Sequence, residues 1–371
     1  MEIAILGGGI AGLAAAIHLR QLGYDPVVYE RDAERVRHGH GFILLEEGLA
    51  SLDAFGLAGA WHAKGERIER FILRRPDGTE QAELPLTGAY GFRRSAFVDL
   101  LEQALPADRV RMGRRVQGVD YEPARRRVRS VTFADGTRLE ADLFIEAVGK
   151  ESAIRAALHP GRAFGPVLVR EMVSHTVAPD MADILATRFL KYQDPRGGVA
   201  VGLVPCGHGQ LLWYLQFDAA RFPFTGTTGA EKAAFAHRLV GDWAEPIAEL
   251  IRRTDFELSY VWNTSDLDPL PDLHGTNAVL IGDAAHPFLP FTSQGVNAAL
   301  TDVRVLGAHL VRELGGRPDA VDPVALERAL AGYSRARLPE ITRIVASGRE
   351  LRERFLYPDR FPDGGGIPIS K

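Results

Sequence analysis

Near the N-terminus, Gly7-Gly8-Gly9-Ile10-Ala11-Gly12 supplies the pattern G-x-G-x-x-G. It stands between an apolar run, Glu2 to Leu6, and a stretch with Leu13, Ala16, Ile17 and Leu19 at helical spacing. That strand–turn–helix context is the one in which the pattern binds a dinucleotide. Gly7 permits the tight turn, Gly9 lets the backbone approach a pyrophosphate, and Gly12 permits close helix–strand packing. The helix N-terminus then offers unpaired N–H groups and the positive end of its dipole to phosphates. Glu30 closes the next strand, PVVYE, 18 residues after Gly12. This is near the spacing of about 20 at which a carboxylate accepts hydrogen bonds from ribose hydroxyls. An acidic residue there disfavours a 2′-phosphate, so the expected nucleotide is FAD or NAD rather than NADP.

A second constellation lies far downstream. Ile281-Gly282-Asp283-Ala284-Ala285-His286-Pro287 follows a buried-strand pattern, AVLI, and leads through Pro290, Ser293, Gln294, Gly295, Val296 and Asn297 into a helix. It resembles the Gly-Asp motif of the class A flavin-dependent monooxygenases, the aromatic hydroxylases related to para-hydroxybenzoate hydroxylase. In that family the Asp, here Asp283, bonds the ribityl chain of FAD, and the following turn and helix N-terminus face the isoalloxazine ring. Helix N–H groups beside flavin N1 and O2 stabilise an anionic reduced flavin.

The resemblance covers most of the chain. Arg94-Ser95-Ala96-Phe97 stands where the family has an Arg-x-x-Leu helix start whose Arg meets the FAD phosphates. Arg37 and Gly39, with Gly41, match the segment that follows the ribose acid and its neighbour Arg31. Val116 matches the position whose backbone touches adenine, and Ile10 and Ala11 fall inside the first turn. Asp142 to Arg155 (DLFIEAVGKESAIR) aligns with the family's Asp-Gly motif.

Two positions depart from the pattern. Val148 replaces the central Asp of the Asp-Gly motif and Glu146 replaces a Gly; strand alternation puts both side chains on one face. In the family that Asp supports the pyrophosphate region and NAD(P)H use, and Val has no acceptor. Ser293 replaces the first Gly of Gly-Gln-Gly, which restricts the backbone if the turn needs φ > 0.

The resemblance implies an FAD-dependent monooxygenase that hydroxylates an aromatic or other electron-rich small molecule through a flavin C4a-hydroperoxide. NAD(P)H would be the electron donor and O₂ the co-substrate. The alternatives are an oxidase, dehydrogenase or tailoring flavoprotein not reduced directly by NAD(P)H, and a non-catalytic FAD-binding protein. No residue stands out as catalytic. His286 belongs to the motif and can serve to shape its turn, while His175 and Tyr192 could polarise a phenol. Trp213, Tyr214, Tyr260 and Trp262 are candidates to line a substrate pocket, although aromatic residues in strands are more often core.

The elements that must carry these residues follow from periodicity and turn chemistry. Residues 41–57 read as a short strand and a helix, and 67–86 as a hairpin turning at Pro76-Asp77-Gly78. Arg94 to Leu105 is an amphipathic helix, and Val110 to Val148 is β-rich. Between Arg109 and Arg129 lie 8 arginines; with acidic residues interspersed, they read as solvated strand faces. From about Gly165 to Asp268 the pattern is a separate antiparallel sheet with one long helix near Ala230 to Arg253, and a last helix spans roughly Pro323 to Phe355 before the tail GGGIP.

The expected fold is α/β, a Rossmann-like, three-layer FAD-binding domain of the para-hydroxybenzoate hydroxylase type with an inserted antiparallel sheet and C-terminal helices. Residues 1–66, 92–164 and 273–320 would form the FAD-binding domain, 67–91 and 165–272 the substrate-binding sheet domain, and 321–371 a C-terminal helix and tail.

Composition fits this reading. Lys plus Arg is 44 against 48 for Asp plus Glu, a net charge of −4, without the basic excess of a nucleic-acid binder. Hydrophobic residues are 46% and charged ones 25%, and no apolar run reaches the length of about 18 that a membrane helix requires. Cys206 is the sole cysteine, which excludes an internal disulfide and a Cys-based zinc site. With no leader pattern at Met1, the expectation is a cytoplasmic monomer or homodimer with no nucleic-acid or membrane partner.

Overall fold

The computed structural model describes residues 1–34, 41–177, 185–207, 209–315 and 321–361. In chain order it opens with β1 (Ile3–Leu6), α1 (Ile10–Gln21), β2 (Val27–Tyr29), β3 (Gly41–Leu44), α2 (Glu46–Ala54), β4 (Gly65–Arg74) and β5 (Glu80–Arg93). Next come α3 (Arg94–Gln103), β6 (Val110–Arg111), β7 (Val116–Glu122), β8 (Arg127–Phe133), β9 (Arg138–Leu139), β10 (Leu143–Glu146) and α4 (Ala153–Leu158). The middle of the chain gives β11 (Val169–Val177), β12 (Arg188–Gln193), β13 (Val199–Pro205), β14 (Gln210–Asp218), α5 (Gly229–Val240), α6 (Ile247–Arg253) and β15 (Tyr260–Asn263). It ends with β16 (Ala278–Leu280), α7 (Gly295–Leu314) and α8 (Pro323–Leu356).

Three sheets result. The first is all parallel, in the order β16-β10-β1-β2-β6. Its strands are apolar on both faces, as a sheet covered on both sides requires, and Ile5, Leu6, Val28, Phe144, Ile145 and Val279 are fully buried. Helix α1 lies on it, and α7 and α8 close the same core with Leu300, Val303, Leu330, Tyr333 and Ile344. The small antiparallel sheet β7-β8-β9 joins that core through Val128, Val131 and Phe133.

The large sheet runs β15-β11-β14-β13-β12-β4-β5-β3. It is mixed rather than purely antiparallel, because β4 and β12 pair in parallel; the long connection between them permits what a hairpin cannot. Strict alternation gives it two faces. Leu190, Tyr192, Val201, Leu203, Trp213 and Phe217 pack on the outer face against Phe235, Val240, Ile247 and Leu250 of α5 and α6. Phe189, Val204, Leu212 and Val173 lie on the inner face. The single helix expected over 230–253 is two: α5 starts in a Thr228–Glu231 capping box and stops before Gly241, and α6 starts after Pro246. Proline has no N–H and clashes with the preceding turn, and with Gly241 just upstream this favours a break here, although α8 carries Pro339 within its span.

Candidate functional site

The glycine-rich turn shows which of its glycines the protein itself needs. Gly7 has φ +102, and a Cβ there would lie 2.5 Å from the Ala147 carbonyl oxygen. A Cβ on Gly12 would collide with the Gly7 carbonyl. Gly9 differs: its φ is −76, and an added Cβ would meet nothing within 4 Å. Only a group approaching from outside makes glycine necessary there.

That outside space is a cleft of about 260 Å³. Gly7, Gly9, Glu30, Arg31, Arg94 and Val116 line it together, so the first turn, the end of the second strand, the α3 start and β7 meet at one cleft. Glu30 is buried, accepting hydrogen bonds from the Gly8 N–H (2.6 Å) and the Asp32 N–H (3.1 Å). A carboxylate has about four acceptor sites, so capacity remains for hydroxyl donors. Tyr29, Ser95, Val98, Asp99 and Arg114 also line the cleft, as do Ala147, Val148 and Gly149, and motif spacing alone does not point to most of them. Arg37 lies outside the described residues.

The second turn meets the first through small residues. A Cβ on Gly282 would touch the Cβ of Ala11 at 3.2 Å, so Ala11 is a packing residue. Asp283 is exposed, and its charge reaches three cations, Arg94, Lys150 and Arg155. Burial lowers the pKa of each, and Asp283 opposes that shift. Pro290 begins a short helical turn to Thr292, Ser293 adopts the left-handed conformation (φ 54, ψ 23), and Gln294 caps α7. A Cβ on Gly295 would meet nothing within 4 Å, so this glycine too has no internal reason. The first-turn N–H groups of Gly295, Val296 and Asn297 have no intrahelical partner, by the geometry of any helix start.

Asn297 acts inside the protein. Its Oδ1 accepts the Leu45 N–H (2.8 Å), and its Nδ2 donates to the carbonyls of Ser293 (2.8 Å) and Ile43 (3.1 Å). The side chain makes three of its four possible hydrogen bonds within the protein and ties α7 to β3 and α2.

Glu146 does not share a face with Val148. It ends β10, fully buried, and accepts from the N–H of Ile154 (3.1 Å), the N–H of Arg155 (3.2 Å) and the Ser152 hydroxyl, which caps α4. Burial raises its pKa, while these hydrogen bonds oppose the rise. Arg155 in turn donates to the carbonyls of Asp283 (3.2 Å) and Ala284 (2.8 Å). The departure at Glu146 is therefore a strut from the parallel sheet to the Gly-Asp turn, whereas Val148 lies beyond the strand end on the cleft.

One feature of the second turn has no sequence motif. Asp302, fully buried on α7, accepts the Gly282 N–H (2.8 Å), pairs with His286 Nε2 (2.6 Å) and pairs with Arg337 Nε of α8 (2.8 Å). Burial opposes ionisation, but the charges of His286 and Arg337 hold its carboxyl below the ordinary range. His286 thus shapes the turn. Tyr192 is fully buried on the outer face of the large sheet, where Arg74 donates to its hydroxyl (3.2 Å), so it faces away from the site. Trp213 is likewise outer-face core, donating to Thr254 (3.0 Å), and Tyr260 is exposed at the edge. Tyr214 and Trp262 lie on the inner face. His175, half-buried on the same face, is pushed down to about 4 by burial and by Arg93, so it is neutral at pH 7. Burial pushes the Cys206 thiol up to about 12, which makes it a poor nucleophile.

The described residues contain no group of side chains able to hold a metal, and no helix long and apolar enough to cross a membrane. A family model described as an FAD binding domain matches residues 1–347. The chain is 32% identical to the 3-amino-4-hydroxybenzoate 2-monooxygenase of Streptomyces cremeus, over 97% of this chain and 89% of that one. It is 27% identical to the aurachin C monooxygenase/isomerase of Stigmatella aurantiaca, over 97% and 91%. Its fold matches Klebsiella pneumoniae HpxO, solved with FAD and uric acid, at TM-score 0.83 and 23% identity, over 97% and 90%. With two open glycines, a buried acid on the cleft and an exposed Asp near three cations on this fold, the chain belongs to the class A FAD-dependent monooxygenase family.

Proposed function

We propose that this monooxygenase hydroxylates a small aromatic molecule held between the flavin site and the inner face of the large sheet. The observation that carries this is the meeting of those two regions. Lys191 Nζ on the inner face is 5.9 Å from the ring centre of Phe291 in the turn before α7, and Lys150 Nζ, beside the cleft, is 5.4 Å from the ring of Trp262. The 3-amino-4-hydroxybenzoate relative supports a ring as substrate.

When bound, FAD supplies the oxygen activation and hydroxyl transfer. The chain's residues do the rest. Gly9 and the α1 N-terminus take the pyrophosphate, Glu30 the ribose hydroxyls, Arg94 a phosphate and Asp283 the ribityl chain. The α7 N-terminus stabilises negative charge on the ring edge it faces. Buried Phe288, Leu289 and Phe291 exclude water there. The FAD-binding unit in this reading is 1–66, 92–164 and 273–320, with 67–91 and 165–272 facing the substrate; β3 adds its strand to the large sheet from the FAD side.

Two measurements test the assignment. Oxygen uptake with NADH or NADPH should rise when a suitable hydroxybenzoate is added, with label from ¹⁸O₂ entering the product. Unlabelled product, or uptake that yields only peroxide with every ring tried, overturns it. Asp283→Ala should weaken FAD binding about 10- to 100-fold, as expected for one charged hydrogen bond.

A further inference from the structure

Two neighbouring rows cross the inner face of the large sheet. Lys191 of β12 lies opposite Gly202 of β13, and Gly202 opposite Tyr214 of β14. One row along, Gln216 lies opposite Glu171 of β11, and Glu171 opposite Trp262 of β15. A Cβ on Gly202 would collide with the phenol of Tyr214, so that ring crosses β13 toward Lys191. Apolar clusters flank this polar patch on both sides, one holding Phe189, Val204 and Leu212, the other Ala200, Leu289 and Phe291.

The patch is buried and incompletely paired. Lys191 is 3% exposed, Gln216 2% and Glu171 7%. Among the described residues no hydrogen bond or ion pair within 4 Å is made by Lys191 Nζ, which meets the Phe291 ring and senses the charge of Glu171 at longer range. Gln216 donates through Nε2 to Glu171 (2.9 Å), but its Oε1 is buried without a partner. So is the hydroxyl of Thr292, in the turn that faces the patch beside Phe291. Buried polar groups are almost always satisfied, and several unsatisfied ones around one space call for a ligand. Lys191 and Glu171 stand three strands apart, about 14 Å between backbones at the usual strand spacing, and form no direct ion pair although each feels the other's charge; Glu171 is bonded instead by Gln216 and Trp262.

Resting on the monooxygenase reading above, we propose that this patch is the substrate-recognition site, with Lys191 binding an anionic substituent at one end of an aromatic ring and Glu171 with Gln216 Oε1 accepting from an amino or hydroxyl donor at the other. Donor and acceptor inventories fix the polarity: lysine only donates, and a carboxylate and an amide oxygen only accept. Tyr214 forms the floor and Phe291 covers the anionic end. Burial pushes Glu171 up to about 7 and Lys191 down to about 8, so a bound charge of the right sign stabilises the ionised form of each.

The test uses the FAD-loaded full chain, titrated calorimetrically with 4-aminobenzoate, 4-aminobenzamide and benzoate. The acid should bind about 10- to 100-fold more tightly than the amide, the range for a charge-assisted hydrogen bond. Lys191→Met should abolish that preference by weakening the acid and leaving the amide, with FAD content unchanged. Lys191→Arg should retain most of it, which separates lost charge from lost folding. Glu171→Gln should reduce the preference for 4-aminobenzoate over benzoate. Equal binding of acid and amide by the wild type, equal loss of both in Lys191→Met, or no binding by any probe overturns the site. Lys191-dependent binding without oxygen consumption breaks the monooxygenase reading and spares the site. Ring hydroxylation indifferent to Lys191→Met does the opposite.

Discussion

The turns at Gly7–Gly12 and Gly282–Gly295 touch through Ala11 and Gly282 and in the proposed reading serve one cofactor, yet they are held by different forces. The first is held by close backbone approach: Gly7 under Ala147, Gly12 against Gly7. The second is held by buried charge: Asp302 grips the Gly282 N–H and is balanced by His286 and Arg337 from another helix. A turn built on absent side chains fails when atoms are added. A turn built on an ionic network fails when one partner is removed.

The largest effect should come from the ionic turn. Asp302→Ala leaves Arg337 and His286 buried without their carboxylate, and breaking a buried pair in this way costs about 3–5 kcal/mol. Denaturant unfolding should show the loss, together with weaker FAD retention. The pH dependence has a definite sign. The folded-state pKa of Asp302 is depressed, so its contribution is complete above the unfolded value of about 3.9 and is lost as pH falls through the lower folded value. The stability gap between wild type and variant should be flat from pH 5 to 8 and close only in stronger acid. A gap that persists into strong acid would show that the energy does not come from the Asp302 carboxylate.

The glycine turn gives a smaller and more selective response. Gly12→Ala should destabilise the FAD-free protein by about 1–3 kcal/mol through overpacking. Gly9→Ala should cost it less than about 1 kcal/mol, the scale of an N-cap change, while FAD affinity drops at least about tenfold because the new methyl group occupies the approach path. If both variants damage the FAD-free protein equally, the distinction between internal and external glycines does not hold.

These two turns also mark how far the residues could be read in advance. Gly7, Gly9, Gly12 and Glu30 were legible because the chemistry sits in a short run with fixed spacing, and the parallel strands because both their faces are apolar. Asp302 was not, since its partner Arg337 lies 35 residues away on a helix whose pattern is otherwise ordinary. Glu146 read as a misplaced carboxylate near Val148 because alternation was extended past the end of β10, where the chain has already turned. The break between α5 and α6 is signalled by Pro246, which a single helix over 230–253 would have to run through. On the large sheet, alternation assigns Trp213 and Tyr214 to opposite faces, but only the register decides which face meets the flavin side, and that depends on pairing between strands more than 100 residues apart, such as β4 with β12.

The smallest expected effect lies where the second turn borrows the first turn's device imperfectly. Ser293 sits at φ 54 without being glycine, and a left-handed residue with a Cβ costs about 1–2 kcal/mol. Its carbonyl is held by Asn297 Nδ2 (2.8 Å), so the surroundings impose the conformation. Glycine at this position relieves the clash but frees the unfolded chain, an opposing cost of about 0.5–1 kcal/mol. Ser293→Gly should therefore stabilise the protein by about 0.5–1 kcal/mol, raising Tm by about 1 °C. FAD affinity should stay within about twofold if Ser293 contributes only backbone, since a lost hydroxyl bond would cost about 0.5–1.5 kcal/mol. A more stable variant with weakened FAD binding would show that the serine hydroxyl itself touches the cofactor. The strain at this turn would then be retained for binding, and the ionic turn would differ from the glycine turn in its ligand contacts as well as in its support.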